Sequence, residues 1–469
     1  MRKLADSGSV ILRRMFQADG LGARLRRGIS WNVGGALITH GANLITNVVI
    51  ANILGREIFG QYSIVQSTLL TFGGVAQAAG GITATKFLAE FRSRDKQRAG
   101  RLLGLCHTIT FLTGTVATLA IFLSAPWLAR VVLKSPFLAR PLRIAAFVAL
   151  LTVVNMFQVG ALAGLETYRS FASASAIQGP LQLGFCALLA WRWGLDGAVT
   201  GLAVAALTRW LILHLTVRRE ARKQNIVSRI SGIWEERSTL MQYVVPAALS
   251  GLTAAPALWY GNTVLVRAND GYSQMALFSA ALNLRSVVMF LPILLNNVGF
   301  SLLNNHRREG EQLRYRRIFW SNLAGTLLAA LSAALFVAIF GNYLLRMYGR
   351  TFVDARPVLL VLLGSAVLES AGMAFYVIVQ SQEKIWVSLW GIVLPRDFSF
   401  AVAATLLAPR YGALGLAFSY VISAIIACAA TLIAVRNIGL NPTSGRVSVS
   451  SVTSRVARSA PSTLRPDET

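Results

Sequence analysis

GALGLAFSYVISAIIACAATLIAV, running from Gly412 to Val435, contains no charged residue. A bilayer hydrocarbon core of ~30 Å is crossed by about 20 helical residues, so this segment is long enough to span a membrane. Its opening, Gly412-x-x-Gly415, has a counterpart 218 residues earlier, where Gly194-x-x-Gly197 opens the apolar run that ends at Val217. Val217-Arg218 matches Val435-Arg436 at the same offset, Glu166 and Glu383 lie 217 apart, and Tyr62-Ser63 and Phe278-Ser279 lie 216 apart. A nearly constant offset over this distance reads as one topology used twice.

Eleven further runs of similar length flank this one. The first six spans are Ser30 to Ile53, Ser63 to Ile82, Leu102 to Ser124, Ile144 to Leu165, Phe171 to Trp191 and Gly197 to Val217. The second six are Tyr243 to Val266, Met275 to Phe300, Ile318 to Phe340, Val358 to Val379, Trp386 to Ala408 and Ala413 to Val435. Six spans per half make the repeats share an orientation, related by an axis along the membrane normal. The expected fold is an all-α polytopic membrane protein of about twelve transmembrane helices, arranged as two six-helix lobes around a central cavity. Its expected parts are a basic amphipathic arm (1–29), an N-terminal lobe (30–219), a linker (220–242), a C-terminal lobe (243–437) and a disordered tail (438–469).

Composition supports this reading. Of 469 residues 55% are apolar and 14% charged, with a mean hydropathy of +0.57, far above what a soluble surface tolerates. Lys and Arg total 45 against 19 acids, a net charge of +26 that would ordinarily suggest nucleic acid. Counted by span boundaries, 31 basic residues fall in the segments inside a cytoplasmic N-terminus and 11 in the opposite loops. The excess is therefore an orientation signal and predicts both termini in the cytoplasm of a multi-pass inner-membrane protein, with no nucleic-acid partner. The arm interleaves Val10, Ile11, Leu12, Met15 and Phe16 with Arg13 and Arg14, as expected of an interfacial helix on anionic lipid. Cys106, Cys186 and Cys428 lie in apolar runs without ligand spacing, so neither a metal nor a cofactor is expected.

The remaining three basic residues, Arg209, Arg285 and Arg396, lie inside spans, as do Glu369 and Asp397. A charge at mid-depth costs about 2.5 to 3.5 kcal/mol on insertion scales, so each requires a partner or a wet cavity. Two readings stand side by side. An arginine fork can take two phosphate oxygens at once, making Arg285, Arg396 and Arg209 candidate binders of an anionic substrate. Alternatively, Arg285 or Arg396 pairs with Glu369 or Asp397 and locks helices together. His40, Asn43 and Asn47 share one face of the first span, and Gln66 and Gln77 share one face of the second. Asn155 and Gln158 fall together in the fourth. Such stripes line an aqueous path or bond neighbouring helices. Pro180 and Pro395 sit mid-span at corresponding places, so two interrupted helices are expected, which either mark a cavity or hinge or reflect only that Pro is commoner in membrane helices. Glu369, Asp397 and His40 are the candidate coupling groups, His40 reading alternatively as a hydrogen-bonded packing residue.

No G-x-x-x-x-G-K-[ST] loop, outer-loop acid cluster or nucleophile arrangement occurs, which argues against an enzyme and assigns no catalytic residue.

Gly271-Tyr272-Ser273-Gln274-Met275-Ala276-Leu277-Phe278-Ser279-Ala280-Ala281, continuing through Arg285 to Phe290-Leu291-Pro292, resembles the helix-eight signature of bacterial oligosaccharide flippases. These form the polysaccharide-transporter branch of the multidrug, oligosaccharidyl-lipid and polysaccharide exporter superfamily. Leu54-Gly55-Arg56-Glu57-Ile58-Phe59-Gly60-Gln61-Tyr62 is similar to that family's junction between the first two helices. The resemblance implies a cavity opening alternately to each side and a polyprenyl-pyrophosphate-linked oligosaccharide as substrate. It implies transfer of that substrate to the outer leaflet for surface polysaccharide assembly, beside a polymerase and other assembly proteins. Arg285 matches a basic residue of the signature. Many relatives carry an acid in helix seven where this chain has Asn262, a departure that bears on ion coupling. Rival readings are an ion-coupled multidrug exporter of the same superfamily and, in another class, a membrane polymerase or glycosyltransferase.

Overall fold

The computed structural model describes residues 21–77, 81–227, 254–305, 312–381 and 388–438, and every regular element among them is a helix. The N-terminal lobe contains α1 (Leu21–Gln77), α2 (Gly81–Phe91), α3 (Lys96–Trp127), α4 (Ala139–Gly164) and α5 (Tyr168–Lys223). The C-terminal lobe contains α6 (Ala254–Val266), α7 (Gly271–Asn305), α8 (Gln312–Arg346), α9 (Arg356–Ser381) and α10 (Leu394–Ile438). Eight helical segments among the described residues are long and apolar enough to cross a membrane. Three of them carry a break, at Gly55 in α1, at Trp193 and Gly194 in α5, and at Gly412 in α10. Divided there, they give eleven apolar segments, and α6 is the described part of the twelfth.

The breaks explain how the repeat folds. Gly194 has φ 57° and ψ −130°, and Gly412 has φ 57° and ψ −136°, a region that side chains with a Cβ disfavour. Each lets the chain reverse and lay the next span against the one before it. Three residues on, a Cβ at Gly197 would stand 1.8 Å from the Leu189 carbonyl oxygen, and one at Gly415 would stand 2.2 Å from that of Leu407. Leu189 and Leu407 are again 218 apart, so the internal repeat extends to matching close contacts.

Leu123, Trp191, Leu328, Ile339 and Phe398 are exposed on the helix bundle. In water each would forgo about 1.5–3 kcal/mol of burial, a loss that hydrocarbon removes. Inside, each lobe has its own apolar cluster, with Leu88, Leu103 and Phe157 in one and Phe319, Ile378 and Ile392 in the other. A larger cluster crosses between the lobes, joining Ile50, Phe59, Tyr62 and Leu133 to Phe278, Leu284, Phe352 and Phe400.

The seam between lobes runs along α1, which packs on α7 and α6. Near the turn at residues 54–62, Arg56 pairs with Asp354 at 2.9 Å, and Asn52 donates to the Met347 carbonyl at 2.5 Å. Tyr272 donates its hydroxyl hydrogen to the Leu133 carbonyl at 2.6 Å. Further along, Asn262 donates to Ser67 at 2.7 Å and the Trp259 indole donates to Thr68 at 3.0 Å. The helix-seven departure is thus a buried amide bonded across the seam.

The two prolines differ in their surroundings. A π turn, Leu389–Val393, directly precedes the helix containing Pro395, whereas Pro180 lies in continuous helical backbone and the break in α5 comes at Trp193 and Gly194. The expectation of two interrupted helices is corrected to one, because a π turn absorbs the missing N–H and ring clash only at the second site. The amphipathic stretch of the arm, the tail from residue 439, most of the linker, the start of the seventh span and Glu383 lie outside the described residues.

Candidate functional site

Arg285 projects from α7 into the C-terminal lobe, where α9 and α10 meet it. Its Nε donates to the Ser365 hydroxyl at 3.2 Å, and its terminal nitrogen bonds the Glu369 carboxylate. Its guanidinium lies 5.3 Å from the centre of the Tyr420 ring. Ser365 and Glu369 are four residues apart and so face the same way on α9. The Ser365 hydroxyl hydrogen is committed to the Leu362 carbonyl, leaving its lone pairs to accept from Arg285. The Arg285 side chain is 10% exposed and that of Glu369 38%, so solvent reaches the pair from the carboxylate end.

Arg396 turns to its own neighbour. Its Nε and a terminal nitrogen both lie 2.8 Å from one oxygen of Asp397, whose other oxygen is buried without a hydrogen-bond partner. Tyr420 lies within electrostatic range of Arg285, Glu369 and Arg396, which places these charges in one neighbourhood. Two arginines and two acids there balance to zero. Arg209 stands apart in the N-terminal lobe, partly buried on α5, with no ion pair among the described residues. The three intramembrane arginines do not share a single site.

The polar stripe of the first span divides by residue. Asn43 accepts from Gln182 at 2.7 Å, and Gln182 accepts from Gln178 at 2.8 Å, so a chain of amides joins α1 to α5, with Pro180 exposed on the opposite face of α5. Asn47 donates back to the Asn43 carbonyl at 3.0 Å and Gln66 to the Tyr62 hydroxyl at 2.9 Å, within their own helix. His40 crosses the seam, its ring 5.2 Å from that of Phe290 in an edge-to-face arrangement. Ser365, Tyr420 and Gln182 complete these groupings without having been singled out in the sequence. A four-residue spacing to Glu369 could have found Ser365, and the Gln-Gly-Pro-Leu-Gln motif around Pro180 could have found Gln182.

Two repeated six-span lobes, joined along a polar and aromatic seam and enclosing paired charges at mid-depth, define a polytopic membrane transporter. Its fold is that of solved multidrug-resistance transporters. An inward-facing structure of a MATE family transporter of the same superfamily superposes with a TM-score of 0.70 at 15% identity, covering 86% of this chain and 95% of that one. An outward-facing structure gives 0.65 at 16%, covering 92% and 99%. A superfamily transporter from Pyrococcus furiosus, described as having a binding pocket of reverse polarity, gives 0.62 at 17%, covering 90% and 95%. The family model described as polysaccharide biosynthesis protein matches residues 25–300, and the chain belongs to that family, polysaccharide transporters of the multidrug, oligosaccharidyl-lipid and polysaccharide exporter superfamily. The EPS I polysaccharide export inner membrane protein EpsE of Ralstonia nicotianae is 26% identical over 415 residues, 82% of this chain and 88% of that protein. The protein of the same description from Ralstonia solanacearum matches to the same extent.

Proposed function

We propose that the protein is an inner-membrane flippase that carries a polyprenyl-pyrophosphate-linked oligosaccharide from the inner to the outer leaflet for surface polysaccharide assembly. The observation that carries the proposal is the Arg285–Glu369 pair, an arginine fork at mid-depth whose carboxylate partner is open to solvent. A pyrophosphate carries more negative charge than one carboxylate and offers more acceptor oxygens, so it competes for the fork and displaces Glu369. The displaced acid is then the group able to couple the exchange to an ion, with Asp397 and its unpartnered oxygen as a second such group. Sugars would pass along the amide-lined N-terminal surface of Asn43 and Gln182, while the polyprenyl chain stays in lipid. Arg396 and Arg209 would assist as further cationic points on the path.

Family membership and the export role in the EpsE relatives' description support this reading, as does the charge distribution that favours cytoplasmic termini. Alternation would come from opening the seam near Arg56 and Asp354 while the lobes rock about α1 and α7. The test is complementation of a deletion strain with Arg285→Ala, scored by surface polysaccharide at matched protein level. Loss of the polysaccharide is expected; normal polysaccharide would sink the site.

A further inference from the structure

The N-terminal lobe holds a cavity of about 340 Å³ between α3, α4 and the end of α5, remote in sequence from the charges of the C-terminal lobe. Its polar lining is His107 from α3, Gln158 from α4, and His214, Arg218 and Arg222 from α5. The last three recur every four residues and so form one helix face. No carboxylate lines the cavity. Glu220, the acid within this stretch of α5, is turned away and committed, accepting from Lys223 at 2.8 Å and from the Ser170 hydroxyl at 3.1 Å. The imidazoles are held by rings, His107 against Phe157 at 5.6 Å and His214 stacked on Trp210 at 5.3 Å.

Gln158 indicates a ligand. It is 2% exposed, and neither its amide nitrogen nor its amide oxygen has a hydrogen-bond partner. A buried amide with both ends unpaired is costly unless something in the cavity completes it. Four further side chains around it offer N–H donors, two of them permanently cationic forks. We infer that this cavity is a second binding site, built for a phosphate group that is either the headgroup of an anionic bilayer lipid or part of a soluble phosphate ester. A phosphate supplies acceptor oxygens in several directions, as the donors converging from three helices require, and a free hydroxyl of the alcohol attached to it supplies the donor that the Gln158 amide oxygen needs. The volume leaves room for the glycerol or other alcohol attached to it. This inference goes beyond the flippase reading and does not depend on what the lobes carry between them.

The test uses the full-length protein, purified and stripped of lipid, titrated separately with phosphatidylglycerol, phosphatidylcholine and inorganic phosphate. Phosphatidylglycerol is expected to bind in preference to phosphatidylcholine and to be displaced by inorganic phosphate. Inorganic phosphate binding without phosphatidylglycerol binding would assign the site to the soluble source. Arg222→Ala and Gln158→Leu are each expected to weaken the anion by about tenfold, the loss of one good hydrogen bond to a charged group. Arg219→Ala removes the same charge outside the cavity and should change binding by less than about twofold, as a screened surface charge does. Gln158→Leu should leave the melting temperature unchanged or raised, because it removes an unpaired buried amide. Equal weakening by Arg222→Ala and Arg219→Ala would reduce the effect to diffuse surface charge and overturn the site. So would unchanged binding in Gln158→Leu, or no binding of either phosphate probe to the unaltered protein.

Discussion

Gly60 and Tyr272 meet across the lobe seam so closely that a Cβ on Gly60 would stand 1.8 Å from the Tyr272 carbonyl oxygen. These residues belong to two stretches that resemble those of flippases, the junction between the first two helices and the eighth-span signature. Their contact is part of what closes the lobes at this end, beside the Arg56–Asp354 pair. Gly60→Ala is therefore expected to disfavour the closed seam rather than the fold of either lobe. Overpacking of this kind costs about 1–3 kcal/mol, enough to shift a two-state population by ~5-fold or more. Thiol labelling of a cysteine placed at Ser67, which faces Asn262 across the seam, should accelerate by about fivefold or more on the same scale. An unchanged labelling rate would show that the seam is held elsewhere.

Gly194 and Gly412 share a conformation that makes a second prediction. Gly194 has open space where a Cβ would project, so Gly194→Ala meets only backbone strain, which costs about 1–3 kcal/mol. Gly197→Ala meets the Leu189 carbonyl at 1.8 Å and should lower the melting temperature of the detergent-solubilised protein further than Gly194→Ala does. The reverse order would mean that the reversal of the chain, not the close approach after it, limits stability.

The spans and their repeat were legible in the sequence because a bilayer imposes a length and a polarity that single runs such as Ala413 to Val435 reveal unaided. The glycine openings were legible too, since matching sequence at a fixed offset became matching backbone. Charge pairing was legible only as alternatives. Arg285 and Glu369 are 84 residues apart, and nothing local says that α7 and α9 face each other at that depth. Arg396, by contrast, has its partner next in sequence. The histidine cavity went unread because His107 and His214 are brought together by helix packing, although His214, Arg218 and Arg222 already share a helix face. Matched prolines misled in part: both halves contain one mid-span, but backbone widening depends on neighbours that packing selects.

The Arg285 cluster yields a third prediction. Glu369→Ala leaves a buried guanidinium with Ser365 and the Tyr420 ring as its remaining partners. Breaking a fully buried pair costs about 3–5 kcal/mol, and water at the 38% exposed carboxylate should reduce this to ~1–2 kcal/mol. Arg285→Lys keeps the charge but loses the Nε bond to Ser365 and the planar face over Tyr420. It should transport less than the parent while folding normally. A double-mutant cycle on Arg285→Ala and Glu369→Ala, read by thermal unfolding, should give strongly non-additive losses; additive ones would deny the pair any coupling.

The prolines make the last prediction. Pro395 lacks the N–H that would otherwise reach back to Gly391, inside the π turn Leu389–Val393. Pro395→Ala restores that donor and lets the turn tighten to ordinary α-helix. Losing a one-residue bulge rotates what precedes it by about 100° relative to Arg396 and Asp397. Ser388, which bonds the Tyr376 hydroxyl just before the π turn, resists the rotation, so the strain falls on that tie to α9. Pro180 has no such turn beside it, and Pro180→Ala restores a hydrogen bond without moving the Gln178–Gln182 amides. Polysaccharide output should therefore fall in Pro395→Ala and persist in Pro180→Ala, with the melting temperature of the latter equal to or above that of the parent. Equal loss in both would tie function to proline itself; equal persistence would remove the π turn from the transport cycle.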